Sequence, residues 1–146
     1  MTTYYGVSAT QYAAGGMSNY ITQDWDEGLM ACYDSYISPA GAEAAASVLT
    51  FGRLPAGARP LFFVVNYTGV TTAVTCTGLK IGTTTASGAI TTMATTGMQV
   101  ITALQAVSST PLTAAANITM TTADATIATA GEIEVTCFYI QGGIGV

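Results

Sequence analysis

Residues Glu132 to Gln141 read EIEVTCFYIQ, and this run decides the fold. Ile133, Val135, Cys137 and Tyr139 fall on one side of an extended chain, while Glu132, Glu134 and Thr136 fall on the other, ahead of Phe138 and Ile140. Apolar residues at a period of two are the mark of a strand with one face in a core. Working upstream, the same grammar recurs as short β-prone runs separated by turn residues. Asn117 to Thr122 (NITMTT) alternates through Ile118 and Met120, a strand is expected over Met98 to Val107, and Pro111 breaks the chain between them. Thr71 to Ile81 reads as one longer strand ended by Gly82. Leu61 to Tyr67 (LFFVVNY) is apolar on both sides, as in a strand covered on both faces. Val48 to Leu54 (VLTFGRL) is followed by the turn Pro55-Ala56-Gly57-Ala58. The threonine, serine, alanine and glycine text of Gly82 to Gly97 predicts surface loops with one short strand near Ile90 to Met93. Regular short strands with intervening turns predict a sandwich or small barrel. Leu49, Phe51, Phe62, Val64, Leu79, Ile81, Val135 and Cys137 are the expected core.

Residues 1–46 differ from the remainder. They hold six of the eight tyrosines, Trp25, and five of the eight acids, with no sustained period of 2 or 3.6. Glycines at Gly6, Gly15, Gly16, Gly28 and Gly41, together with Pro39, punctuate the stretch too often for a long element. The expectation is a largely irregular N-terminal arm over 1–46 joined to a β-sandwich domain over 47–146, with a short helical turn in Gly41 to Val48 from alanine propensity. Tyr20, Trp25, Tyr33 and Tyr36 are the candidate protein-interface residues, because aromatics anchor protein contacts. The same rings could stack on sugars, which keeps a carbohydrate-binding sandwich as an alternative. Deleting Met1 to Ala40 is expected to leave a folded β-domain.

The chemistry of the chain is sparse. Among 146 residues there is no histidine, and Arg53, Arg59 and Lys80 are the three basic residues. General acid–base work near pH 7 draws first on histidine, so catalysis is not expected and no catalytic residue is assigned. No G-x-S-x-G elbow and no phosphate-binding glycine loop is present. A net charge of −5 with no basic run argues against nucleic acid. No apolar stretch approaches membrane-span length, and the first residues carry no basic n-region, so synthesis in the cytoplasm and no membrane are expected. Asp24-Trp25-Asp26-Glu27 lacks the ligand spacing of a calcium loop. Glu132 and Glu134 share a strand face and read as solubilising groups that guard an edge, ahead of a glycosidase pair. Cys32, Cys76 and Cys137 show no metal spacing and read as small buried side chains, with a Cys76 to Cys137 disulfide disfavoured in a reducing compartment. No metal and no cofactor is therefore expected.

Only 8% of the residues are charged, about a third of the usual ~25%. Threonine supplies the surface instead, since its branched side chain fits the pleat and its hydroxyl needs no counter-ion. Surfaces of this kind are cheap to bury against other protein, which predicts obligate assembly.

Leu54-Pro55-Ala56-Gly57-Ala58-Arg59-Pro60-Leu61, then Leu79 to Thr83 (LKIGT), then Ile118-Thr119-Met120-Thr121 through Ala125-Thr126, Gly131, Ile133, Val135 and Tyr139, resemble the small structural proteins of tailed bacteriophage virions. The resemblance spans about Val48 to Ile140 and leaves the arm unmatched. It implies a jelly-roll-like antiparallel β-sandwich serving as a homotrimeric cement or decoration protein that binds the major capsid protein on the outer surface of the capsid. A tail, neck or fibre-associated virion protein is the alternative within that class.

Overall fold

The computed structural model describes residues 3–5, 29–38, 46–122 and 131–141. Among these residues nine strands and one helical turn follow in order: β1 (Thr3–Tyr5), β2 (Leu29–Ile37), β3 (Val48–Leu54), β4 (Ala58–Cys76), β5 (Lys80–Ile81), β6 (Thr84–Thr85), β7 (Ile90–Thr102), α1 (Gln105–Ser108), β8 (Ala116–Thr121) and β9 (Glu132–Gln141). They form two sheets, ordered β1-β3-β8-β5-β6 and β2-β9-β4-β7. Apart from β1, which runs parallel to β3, every pairing is antiparallel. The eight strands β2 to β9 are thus shared between the sheets in the order of a jelly roll, with β5 and β6 a hairpin within one sheet, so the expected sandwich is the observed one.

The core lies between the sheets. β9 behaves as its alternation demands: Ile133, Val135, Cys137 and Tyr139 are buried and the intervening residues are not. From the opposite sheet come Leu49, Phe51, Leu54, Ile81, Ile118 and Met120, all buried. Burying side chains of this size contributes roughly 1.5–3 kcal/mol each before chain entropy is counted.

Expected core residues Leu49, Phe51, Leu79, Ile81, Val135 and Cys137 sit in the core, but Phe62 and Val64 do not. Phe63 and Val65 are the buried pair, and Phe62 and Val64 are only partly covered on the outer face. A strand apolar on both sides offers no alternation to choose between them, and an irregularity of β4 between Pro60 and Phe62 sets the facing.

Other boundaries moved for reasons of pairing. β4 is one strand from Ala58 to Cys76 rather than two, with Gly69 accommodating a φ of 67° where the register slips. β7 extends from Ile90 through the stretch read as loop, because β4 supplies it with a ladder as far as Cys76↔Ile90. It ends at Thr102, and Gln105–Ser108 turns helical instead of continuing the strand. Ala46 has φ 64° and Val48 already opens β3, so no helix covers the end of Gly41 to Val48; residues 41–45 lie outside the described residues.

The largest departure is β2. Leu29–Ile37, assigned to an irregular arm, is paired residue by residue with β9 from Leu29↔Ile140 to Ile37↔Glu132. Its inner face carries Asp34 and Tyr36, both buried, so polar and aromatic residues take the places an alternating apolar pattern would have filled. A deletion of Met1 to Ala40 would remove this strand from the sheet.

A candidate interaction face on the outer side of the β2-β9-β4-β7 sheet

The strand registers fix which side chains share the outer face of this sheet. One row across it holds Ala31, Phe138, Phe62 and Thr102, the next Tyr33, Thr136, Val64 and Val100, and the next Ser35, Glu134, Asn66 and Met98. Leu29 and Ile140 flank the first row, and Ile37 and Glu132 flank the last. Large apolar groups stand open to solvent at both edges: Leu29 and Ile37 on β2, and Met98 and Val100 on β7, the last two more than 60% exposed. Between them the rings of Phe62 and Phe138 stack with centroids 4.6 Å apart and planes 13° from parallel. Such a pair contributes about 0.5–1.5 kcal/mol beyond its area.

Three polar groups of the face, Tyr33, Asn66 and Glu134, are engaged with one another. The Tyr33 hydroxyl donates to Glu134 Oε1 at 2.7 Å, and Asn66 Nδ2 donates to Glu134 Oε2 at 3.3 Å. Both carboxylate oxygens therefore have donors from neighbouring strands. Donating to that carboxylate makes the phenol hard to ionise, and Tyr33 is pushed up to about 12, with burial and the Glu134 charge adding to the effect. At the far end of the face, Arg59 Nε donates to the Ser108 carbonyl at 3.3 Å. Charges supplied with donors and acceptors in this way can be covered by a neutral surface at lower cost than unpaired ones.

The expected interface residues are distributed unequally. Tyr33 lies on the face, 45% exposed. Tyr36, one turn of the pleat further and on the opposite side, is buried in the core, where its surface is spent on its own chain. Tyr20, Trp25 and the acidic run Asp24 to Glu27 lie outside the described residues. The residues missed by sequence reading are Phe62, Phe138, Val64, Val100 and Met98. Their signal was present in the doubly apolar text of Leu61 to Tyr67 and in Phe138 and Ile140 breaking the polar side of β9, both of which mark a strand with two apolar faces.

Glu132 and Glu134 do share one face, yet β9 is an inner strand between β2 and β4, so they guard no sheet edge. None of the three cysteines forms a disulfide. Cys137 stands opposite Cys32 in register, whereas Cys76 bridges Thr122 of the other sheet, because β4 leaves its pairing with β9 at Thr68 and crosses over. Burial pushes the Cys32 thiol up to about 12, the Asp34 charge adding and a hydrogen bond to the Arg53 carbonyl opposing; burial, and then Cys32, pushes Cys137 well above its ordinary value. Among the described residues no group of three histidine, cysteine, aspartate or glutamate side chains is placed to hold a metal ion. No helix among them is long and apolar enough to cross a membrane.

No protein-family model matches the chain, and no curated protein matches it significantly. Solved structures do. A chain from the capsid of Ralstonia phage GP4 superposes with a TM-score of 0.67 at 20% identity, covering 82% of this chain and 88% of that one. A chain from the capsid asymmetric unit of cyanophage Pam1 does so with a TM-score of 0.52 at 20% identity, covering 77% and 84%. At this identity the likeness is one of fold, and it is the fold that the resemblance to phage virion proteins implied: the chain is a jelly-roll sandwich of the kind found in two phage capsids.

Proposed function

We propose that this protein is a structural component of a phage virion, and within that class a cement or decoration protein that binds the major capsid protein on the outer surface of the shell. The observation that carries the reading is the match of the jelly roll, over 82% and 77% of the chain, to chains of two phage capsids. Composition supports it. With 8% charged residues and an open apolar sheet face, the chain presents surface suited to neutral protein contacts. The reading makes the chain a homotrimer synthesised in the host cytoplasm, and symmetry then multiplies each modest contact with the shell. No catalytic step and no cofactor enters it. The aromatic residues of the N-terminal stretch 1–46, Tyr20, Trp25 and Tyr33, are the contacts this reading assigns to the shell.

The test is co-sedimentation of the purified chain with capsid particles of its own phage that lack it, followed by cryo-electron microscopy. Hundreds of copies in a regular lattice are expected. A few to a dozen copies at the tail or neck would replace cement by a tail-associated role, and glycan binding abolished by Trp25→Ala would replace both.

A further inference from the structure

We infer that Cys32 and Cys137 form a site for a cross-strand disulfide, which fastens the edge strand β2 to β9 when the chain meets an oxidising medium. The two residues stand directly opposite each other in the antiparallel ladder. Opposed residues of such a ladder have Cα atoms about 4.5 or 5.5 Å apart, according to whether they exchange backbone hydrogen bonds. Both separations fall within the roughly 4.4–6.8 Å that a disulfide spans. Partners in register also point to the same side of the sheet. That side is the inner one: Cys137 is fully buried, and the Cys32 sulfur lies 3.8 Å from the Arg53 carbonyl of the facing sheet. Swinging Cys32 toward Cys137 gives up that one long sulfur hydrogen bond. Cys76 offers no competing partner, because it stands where β4 has left β9 and bridges Thr122 of the other sheet.

The position of the pair gives the bond its effect. β2 closes one end of its sheet, is laddered there to β9, and carries Asp34 on its inner face between Cys32 and Tyr36. A strand without an apolar stripe gains most from a covalent tie, and this tie closes a loop of about 100 residues, whose unfolded entropy it removes. The oxidant is a low-molecular-weight disulfide. Cys32, the less buried thiol, gives up its proton and attacks one sulfur of that disulfide, releasing a first small thiol and leaving a mixed disulfide. Cys137 then loses its proton and attacks the Cys32 sulfur, releasing the second small thiol. Two protein thiols are oxidised to one disulfide, and the two electrons and two protons leave with the small thiols. Burial holds both cysteines in the unreactive thiol form, so the bond forms slowly, as β2 opens. A thiol-rich cytoplasm keeps the pair reduced. The timing rests on the proposed passage from host cytoplasm to released virion, whereas the pairing does not.

The experiment holds the folded, full-length chain with oxidised glutathione at mildly alkaline pH until its intact mass is constant, beside Cys32→Ser and Cys76→Ser. Trypsin cuts after Arg53 and Lys80, while Pro60 protects the bond after Arg59, so Cys32, Cys76 and Cys137 fall on separate peptides, 1–53, 54–80 and 81–146. The parent and Cys76→Ser should lose two hydrogens and yield peptide 1–53 joined to 81–146 from a chain that runs as a monomer on a non-reducing denaturing gel. Their melting temperature should rise by about 10 °C and fall back on reduction. Cys32→Ser should show neither change. No link at constant mass, a link through Cys76, a link between chains, or a linked chain that melts no higher than the reduced one overturns the inference. The 1–53 to 81–146 link with its melting shift, in a chain that never binds capsids, upholds the disulfide site while removing the cement role.

Discussion

Tyr33 on β2 donates its hydroxyl to Glu134 on β9 across 2.7 Å, in the middle of a sheet face otherwise dominated by apolar groups. The phenol prefers its protonated form in the folded chain, and its ionisation is pushed from 10.0 up to about 12. Because the folded value is the higher one, the stabilisation is fully present below the unfolded value and fades as pH rises through about 12. The difference in phenolate absorbance between the parent and Tyr33→Phe should therefore appear near pH 12. A component titrating near 10 would mean that the bond to Glu134 is not made in solution.

Phe62 and Phe63 are adjacent in sequence and opposite in fate. Phe63 is fully buried, and Phe63→Ala should cost about 3–5 kcal/mol. Phe62 lies on the outer face, where the loss is chiefly that of the stack with Phe138, and Phe62→Ala should cost about 1–2 kcal/mol in the single chain. Denaturant unfolding of the two variants, carried out below the concentration at which copies associate, orders them. Equal costs, or the reverse order, would place β4 one residue out of register.

Gly52 on β3 is where one sheet comes close to β2 of the other. A Cβ built there would stand 2.7 Å from Cys32 Sγ, inside contact distance. Gly52→Ala should destabilise the chain by about 1–3 kcal/mol through overpacking. Removing the sulfur relieves the clash, so Gly52→Ala in a Cys32→Ala background should cost markedly less. Strictly additive costs in that double-mutant cycle would deny the contact.

Cys32 illustrates the effect of the same burial on reactivity. The thiolate is the attacking species, and a shift from 9.0 to about 12 reduces its population at pH 8 by roughly 1,000-fold. Iodoacetamide should label Cys32 in the native chain slower by about that factor than in the unfolded chain. Cys137, which burial also raises well above its ordinary value, should follow it. Rapid native labelling of Cys32 would show that β2 opens readily from the sheet.

Alternation is a local property, and wherever one face of a strand was apolar and the other polar the sequence alone specified the outcome. β9 and β8 are the clearest cases: Ile133 to Tyr139 and Ile118 with Met120 are buried as their spacing requires. Low charge, abundant threonine and the absence of histidine likewise settled the kind of surface without reference to any fold. Tertiary structure decided what alternation leaves degenerate. Leu61 to Val65 is apolar at every position, and a local irregularity in β4 turned Phe63 inward and Phe62 outward. β2 has no apolar period because it is held by nine pairings with β9 and accepts Asp34 and Tyr36 inside. β7 runs through threonine-rich text because a long partner strand satisfies its backbone. The open face exists for the same reason: Leu29, Phe62, Val100 and Phe138 are distant in sequence, and the ladders of the sheet are what bring them together.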